Sequence, residues 1–381
     1  MGGSVLRQWL TSFGLLAALA AAAPAWADDL VYIGSRVDAH GQGIFAARFN
    51  PANGHLTAIG PVAEIARPTL VIPHPSLPVV YAVSELGNEG DVDASVVSLA
   101  VDRATGQLKA LNTVRTGGGA TDMSIDPVSR TLFVANYGVG QATWIPILPD
   151  GKLGKTTAVQ ATFGKGPDER QDSPHPHGIR VDPSHHFALV ADLGADKVFV
   201  FRFDAATRQF YPAQPAFSAT AAGSGPRQLA FHPNGRFVYV LNQISSDVLT
   251  YWWDAAHGRL TPVQALATEL PSFKGVKSAA HIEVSADGRF VYASNRGSDS
   301  LVVFAVNAQS GRLTEIQRLA AQGKLPFGFA IHSSGRWMVV TNNASNTVTV
   351  FALDPATGRL SPTSETLAVP QPANITFFPN P

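Results

Sequence analysis

The chain has 381 residues, and its 28 Lys plus Arg against 28 Asp plus Glu leave a formal net charge of zero with no basic stripe, which argues against a nucleic-acid partner. A chain this long ordinarily divides into two or three domains, unless a repeat lets one core keep growing. The 34 glycines and 27 prolines suit many short strands joined by tight turns, and the absence of cysteine excludes disulfides, thiolate metal sites and cysteine nucleophiles.

Residues 1–27 read as a secretory signal peptide, with a membrane anchor that stays uncleaved as the alternative. Arg7 supplies the positive start, "FGLLAALAAAA" the short apolar run, and Ala25-Trp26-Ala27 a small-x-small cleavage site. The apolar run is short against the ~20 residues a spanning helix needs. The mature protein is expected to begin near Asp28, to carry one domain over 28–381, and to be periplasmic or secreted, with no membrane association after cleavage.

From there one phrase recurs seven times. It appears as "FNPANGHLTAIG", "VDRATGQLKALN", "LPDGKLGKTT", "FDAATRQFYPAQ", "WDAAHGRLTPVQ", "VNAQSGRLTEIQ" and "LDPATGRLSPTS". Each is a strand, a turn rich in Asp, Asn or Gly, and a second strand. A second phrase lies between the copies, as in "DPVSRTLFVANY", "HPNGRFVYVLNQ" and "SADGRFVYASNR", and reads as the turn and second strand of another hairpin. Its seventh copy is split across the ends: "NITFFPNP" supplies the first strand and "DDLVYIGSR" the second. Seven four-stranded units closed by both termini predict an all-β, seven-bladed β-propeller.

The repeats allow the chain to be compared with itself. Six residues before the turn proline or its equivalent stand Thr69, Thr121, His177, Arg227, Ala280, Phe327 and Ala373. Ten residues after it stand Glu85, Tyr137, Leu193, Gln243, Arg296, Asn343 and Arg36, each preceded by Asn, Asp or Ser. In a propeller blade the start of the inner strand and the end of the next meet at one mouth of the channel. Uniform positions there keep blade geometry, and divergent polar ones mark a site. His177 and Arg227 break their column in adjacent blades, and Arg296 and Glu85 stand out in the other.

His175 lies two residues before His177 and shares its face if the segment is extended. An H-x-H pair also raises a metal site with His281 as a third ligand, although no tight His/Asp/Glu cluster in the sequence supports one, and no cofactor is expected. His185 and His186 sit at a hairpin turn at the far end of the blade, and Trp252 and Trp253 read as blade packing. There is no G-x-S-x-G elbow, phosphate-cradling glycine loop or dinucleotide fingerprint.

The segments "PDERQDSPHPHGIRVDP", "ADLGADKVFVFRFD", "GPRQLAFHPNGRFVYVLNQ" and "ADGRFVYASNRGSDSLVVF" resemble the seven-bladed propeller lactonase family, which includes bacterial 6-phosphogluconolactonases and fungal carboxymuconate lactonizing enzymes. The resemblance implies a lactone hydrolase with His177 as active-site histidine and Arg227 and Arg296 as its arginines, acting on a small-molecule lactone. Arg170, Gln171 and Glu85 agree with the family pattern. Two positions depart from it. The family's glutamate falls on Gln243, and its A-E-I-H becomes "AHIE", which exchanges acid and imidazole as His281 and Glu283. Glu283 or Glu85 is the candidate substitute for the lost carboxylate.

The chemistry suits these residue types, since lactone opening needs a base for water and cationic donors for the oxyanion. The export signal favours a phosphate-free sugar lactone or another organic lactone over the cytosolic phosphorylated one. A second reading stays open: a non-catalytic periplasmic propeller that binds a small ligand or a protein at the same mouth, which the change at Gln243 and the His281/Glu283 exchange would favour.

Overall fold

The computed structural model of the chain describes residues 1–2, 28–38, 43–156, 158–204, 206–207 and 209–378, so residues 3–27 of the segment read as a signal peptide lie outside the described residues. Among the described residues no helix is long and apolar enough to cross a membrane.

The strands form seven four-stranded antiparallel sheets. Six blades follow chain order from the channel outwards, over 71–115, 120–161, 176–219, 226–267, 279–320 and 326–368. The seventh is the predicted closure: Pro372–Phe378 is its inner strand and pairs with Asp29–Ser35, with Leu30 opposite Phe378 and Ile33 opposite Ile375. Closing the ring leaves no sheet with an open side towards the channel.

The second strand of each blade is a nearly unbroken apolar run, as in Phe237–Asn242 (FVYVLN), because both of its faces pack against neighbouring blades. The outer strand faces solvent on one side and alternates, as in Leu360–Ala368. The core is therefore a set of layers between blades.

The two repeated phrases turn out to be halves of one contact. The tyrosine of the second strand reaches a turn glycine of the neighbouring blade: Tyr32 to the Gly106 carbonyl (3.1 Å), Tyr81 to Gly151 (2.9 Å), Tyr239 to Gly311 (3.1 Å) and Tyr292 to Gly358 (3.0 Å). Each of these glycines has φ between +71° and +81°, where a side chain would be strained. A buried hydrogen bond of this kind contributes about 0.5–1.5 kcal/mol and is made by four of the seven blades.

The uniform Asn, Asp and Ser column ends the second strands and is buried throughout. Its members tie that end to adjacent backbone or hydroxyls: Ser35 to the Gly43 carbonyl, Asn136 to Thr143, Asn295 to the Thr268 carbonyl and Asn342 to Thr349. The uniform positions are structural, as the comparison of the repeats implies.

Candidate active site

A cavity of about 310 Å³ opens at the mouth where inner strands begin and second strands end. It is lined by every residue of the first divergent column except Ala280, and by Glu85, Tyr137, Gln243, Arg296 and Arg36 of the second. His177, Arg227 and Arg296 thus open onto the same cavity, with Gln243 and Glu85 beside them. Leu193 and Asn343 do not reach it.

A shared backbone feature aims these side chains. The ladder shifts register between Ala120 and Asp122, Pro176 and Gly178, Pro226 and Gln228, and Pro326 and Gly328. Thr121, His177, Arg227 and Phe327 are the extra residues of these bulges. A bulge leaves one residue out of the pairing and turns its side chain from the normal alternation. In the closing blade the shift between Gly34 and Ser35 leaves out Ala373 in the same way, so in these five blades the bulged residue is delivered to the channel mouth.

The same bulge corrects the expectation for His175. Alternation is broken at His177, so the two imidazoles do not share a face. His175 instead stacks on the Tyr137 ring at 4.1 Å, with Nδ1 2.9 Å from the Tyr137 carbonyl oxygen and Nε2 3.2 Å from the Asp172 carboxylate. Its backbone N–H donates to Asp192 Oδ1 at 2.8 Å. It supports Tyr137 from behind and does not line the cavity. Arg170 does not line it either, because its guanidinium is engaged by Asp168 at 2.8 and 3.1 Å. Gln171 is buried, donating to the Leu193 carbonyl and Asp196.

His177 has its Nδ1 buried without a hydrogen-bond partner, and the Tyr137 ring meets it edge-on at 5.7 Å. Burial first, then the charges of Arg227 and Arg296, push its proton affinity well below that of an ordinary histidine. The shift favours the uncharged imidazole at neutral pH, in a cationic setting.

Arg227 is almost fully buried, donating from Nε to Gln243 Oε1 at 3.1 Å and from Nη1 to the Ala280 carbonyl. Burial lowers its pKa to about 10. Arg296 has its Nε buried with no partner, and burial together with Arg227 and Arg36 lowers its pKa well below the ordinary value. Glu85 is held by the Thr69 hydroxyl and by Asn88 Nδ2 at 2.9 Å. Guanidinium groups with no carboxylate partner among the described residues, beside an imidazole, make a site for a substrate on which negative charge develops.

His281 and Glu283 do not meet at this mouth. His281 lies on the channel wall between this cavity and a second one of about 1230 Å³ at the opposite side, edge-on to Phe329 at 4.6 Å. Burial, then Arg180 and Arg227, take its pKa down to about 3. Glu283 lines the second cavity and not this one, and burial raises its pKa to about 8. Glu283 lies two positions after His281 along the strand and does not line the cavity that holds Gln243, so it cannot stand in for a carboxylate there. Arg180, paired with the buried Asp122, sits with His281 in the belt between the cavities. Among the described residues no cluster of three His, Asp or Glu is arranged to hold a metal ion. His185 faces Asp126 at a hairpin turn, and Trp253 packs between its blade and the preceding one, against Phe187 with Nε1 on Asp182.

Sequence reasoning placed Arg36, Tyr137 and Phe327 in the right columns without selecting them. Phe327 was discoverable as the one aromatic among small and polar neighbours in its column. Asp122 and Arg180 carried no signal, since each reads as an ordinary charged residue of an inner strand.

Fold and site together define a closed propeller with a basic, water-accessible cavity built for an anionic or anion-forming small molecule. A family model described as "Lactonase, 7-bladed beta-propeller" matches residues 30–377, and the chain belongs to that family: it is a lactonase, a hydrolase of cyclic esters. It is similar to a 6-phosphogluconolactonase of Bacillus subtilis, 29% identical over 299 residues that cover 78% of this chain and 83% of that protein. A periplasmic gluconolactonase of Pseudomonas aeruginosa superposes with a TM-score of 0.87 at 33% identity, covering 93% of this chain and 100% of the other. A structure described as a putative 6-phosphogluconolactonase of Bacteroides fragilis superposes with a TM-score of 0.85 at 30% identity, over 93% and 99% of the two chains.

Proposed function

We propose that this lactonase hydrolyses a phosphate-free sugar lactone or another organic lactone outside the cytoplasm, with His177 as general base and Arg227 and Arg296 as the anion clamp. One observation carries the reading: an imidazole and two guanidiniums that have no carboxylate partner among the described residues converge in one cavity. The apolar leader and its A-W-A cleavage site support export, and likeness to a periplasmic gluconolactonase fits both location and substrate.

In this mechanism His177 takes a proton from water as the water oxygen bonds to the acyl carbon. The carbonyl π pair moves onto oxygen, where Arg227 and Arg296 meet the charge. Collapse of the intermediate breaks the bond to the ring oxygen, which takes the proton back from the imidazolium. The product is an open-chain hydroxy acid, whose carboxyl group then releases its proton to water and leaves as the carboxylate.

Turnover of a panel of sugar and aromatic-acid lactones by the purified mature protein, with spontaneous hydrolysis subtracted, tests the reaction. Activity on a non-phosphorylated lactone supports it, and an inert panel overturns it. Cell fractionation tests location: recovery of the uncleaved chain in the cytosol would refute export.

A further inference from the structure

The guanidinium carbons of three arginines surround one ring. Arg296 lies 5.0 Å, Arg227 5.4 Å and Arg36 5.5 Å from the centroid of Phe327. The ring comes from the blade over 326–368, and the arginines come from the blades over 226–267 and 279–320 and from the closing blade. Three like charges are thereby gathered about an apolar side chain. Among the described residues none of the three has a carboxylate within ion-pair distance, and the nearby Glu85 is already engaged by Thr69 and Asn88. Something must offset their mutual repulsion in an unliganded cavity.

We propose that Phe327 is the positioning residue of the cationic half of the site, and that Arg36 is its third anion-binding residue. A ring's negative face attracts a guanidinium, more strongly where water is excluded. The bulge at 327 pushes this side chain out of the blade's pairing and into the mouth, so the ring holds the three cations at nearly equal distance. The groove that remains between them takes a carboxylate or comparable oxyanion. Opening any lactone ends in a carboxylate, so such a groove serves both the developing oxyanion and the product. The inference rests on the proposed function only in naming that carboxylate as the natural occupant.

The test measures binding of inorganic phosphate and of gluconate to the mature protein by calorimetry, with melting temperature followed for each variant. Wild type should bind both anions. Phe327→Leu, which keeps apolar volume without a π face, should weaken both by tenfold or more, and Phe327→Tyr should stay within about threefold of wild type. Arg36→Gln should weaken gluconate binding and raise KM about tenfold while kcat changes little. In Phe327→Leu the acid limb of kcat/KM should also move up, because the guanidiniums that depress His177 are no longer held beside it. The inference is overturned if wild type binds neither anion, if a folded Phe327→Leu binds them as wild type does, or if Tyr and Leu lose binding equally. Anion binding without turnover of any lactone would overturn the proposed function and leave this inference standing.

Discussion

Arg227 donates from Nε to Gln243 Oε1 at 3.1 Å, so the residue that replaces the family's glutamate touches an arginine and leaves His177 without an orienting partner. An amide accepts that hydrogen bond but does not neutralise the guanidinium. Burial first, and then the charge of Arg227, lower the proton affinity of His177.

Gln243→Glu should therefore act on His177 through Arg227. A carboxylate beside Arg227 cancels part of the field that disfavours the imidazolium, so His177 becomes a stronger base. We expect kcat/KM on a responsive lactone to rise at neutral pH and its acid limb to move towards higher pH. Pairing also occupies one guanidinium edge, so KM should rise as well. An acid limb that stays in place would refute coupling through Arg227. Restoring the carboxylate in a protein that had shed catalysis would give no turnover, which separates a weakened enzyme from a binding module.

His177→Ala should lower kcat/KM by about 10²–10⁴-fold, the usual contribution of a general base. The pH dependence follows from the direction of its shift. The base works only when neutral, and its depressed pKa keeps it neutral well below the ordinary value of 6.5. Activity should persist into mildly acidic solution and fall only as pH drops through that depressed value. An acid limb of kcat/KM at or above pH 6.5, or turnover unchanged in His177→Ala, would remove His177 as the base.

Arg296→Gln should lower kcat by about 10²–10³-fold, the scale associated with losing one oxyanion donor. Its Nε is buried without a partner, so substitution removes a group that the resting site leaves free for substrate. Comparing kcat with KM decides the role. A change confined to KM would make Arg296 a ground-state binder only.

The fold was legible because each blade restates the same two phrases, and the Tyr–Gly contact between blades explains why both phrases are kept. The mouth was legible for the same reason: His177 and Arg227 break a column that the scaffold leaves free. What misled the reading was local backbone. Alternation from His175 to His177 assumes regular extension, and the bulge between Pro176 and Gly178 cancels it. Arg170 follows the family pattern in sequence yet is spent on Asp168, two residues away. The His281/Glu283 exchange looked like a rearranged pair at one site, but a strand along the channel sends the two side chains to different depths. Arg36 and Phe327 were in view and passed over, because a lone arginine or phenylalanine gains meaning only when the ring closure brings four blades together.

Glu283 predicts a pH dependence of stability distinct from that of activity. Its folded pKa of about 8 lies above the value of roughly 4.3 for a free glutamate, so the folded state holds a proton that the unfolded chain has released between those limits. Stability from this group is full below the lower value and is lost as pH rises through the upper one. Glu283→Gln keeps the neutral shape at all pH and should flatten the decline in melting temperature between pH 5 and 8. An identical slope in both proteins would mean that the channel solvates the carboxylate freely.

Closure of the ring gives the last prediction. Phe378 is 1% exposed, lies opposite Leu30, packs edge-on against Tyr32 at 6.1 Å and carries the Arg103 guanidinium over its face at 4.5 Å. It therefore joins the C-terminal strand, the N-terminal strand and the turn of the next blade. Phe378→Ala should destabilise the protein by about 3–5 kcal/mol, the usual cost of emptying a buried phenylalanine site. Removing residues 372–381 should do more, because the closing blade loses its inner strand and Asp29–Ser35 is left with an unpaired edge facing the channel. The truncated chain should melt at much lower temperature, and its loss should be felt by every blade, since each packs only on its neighbours around a ring. Calorimetry of the full chain, Phe378→Ala and the truncation checks this. A truncated protein with an unchanged transition would show that the ring does not depend on closure by both ends of the chain.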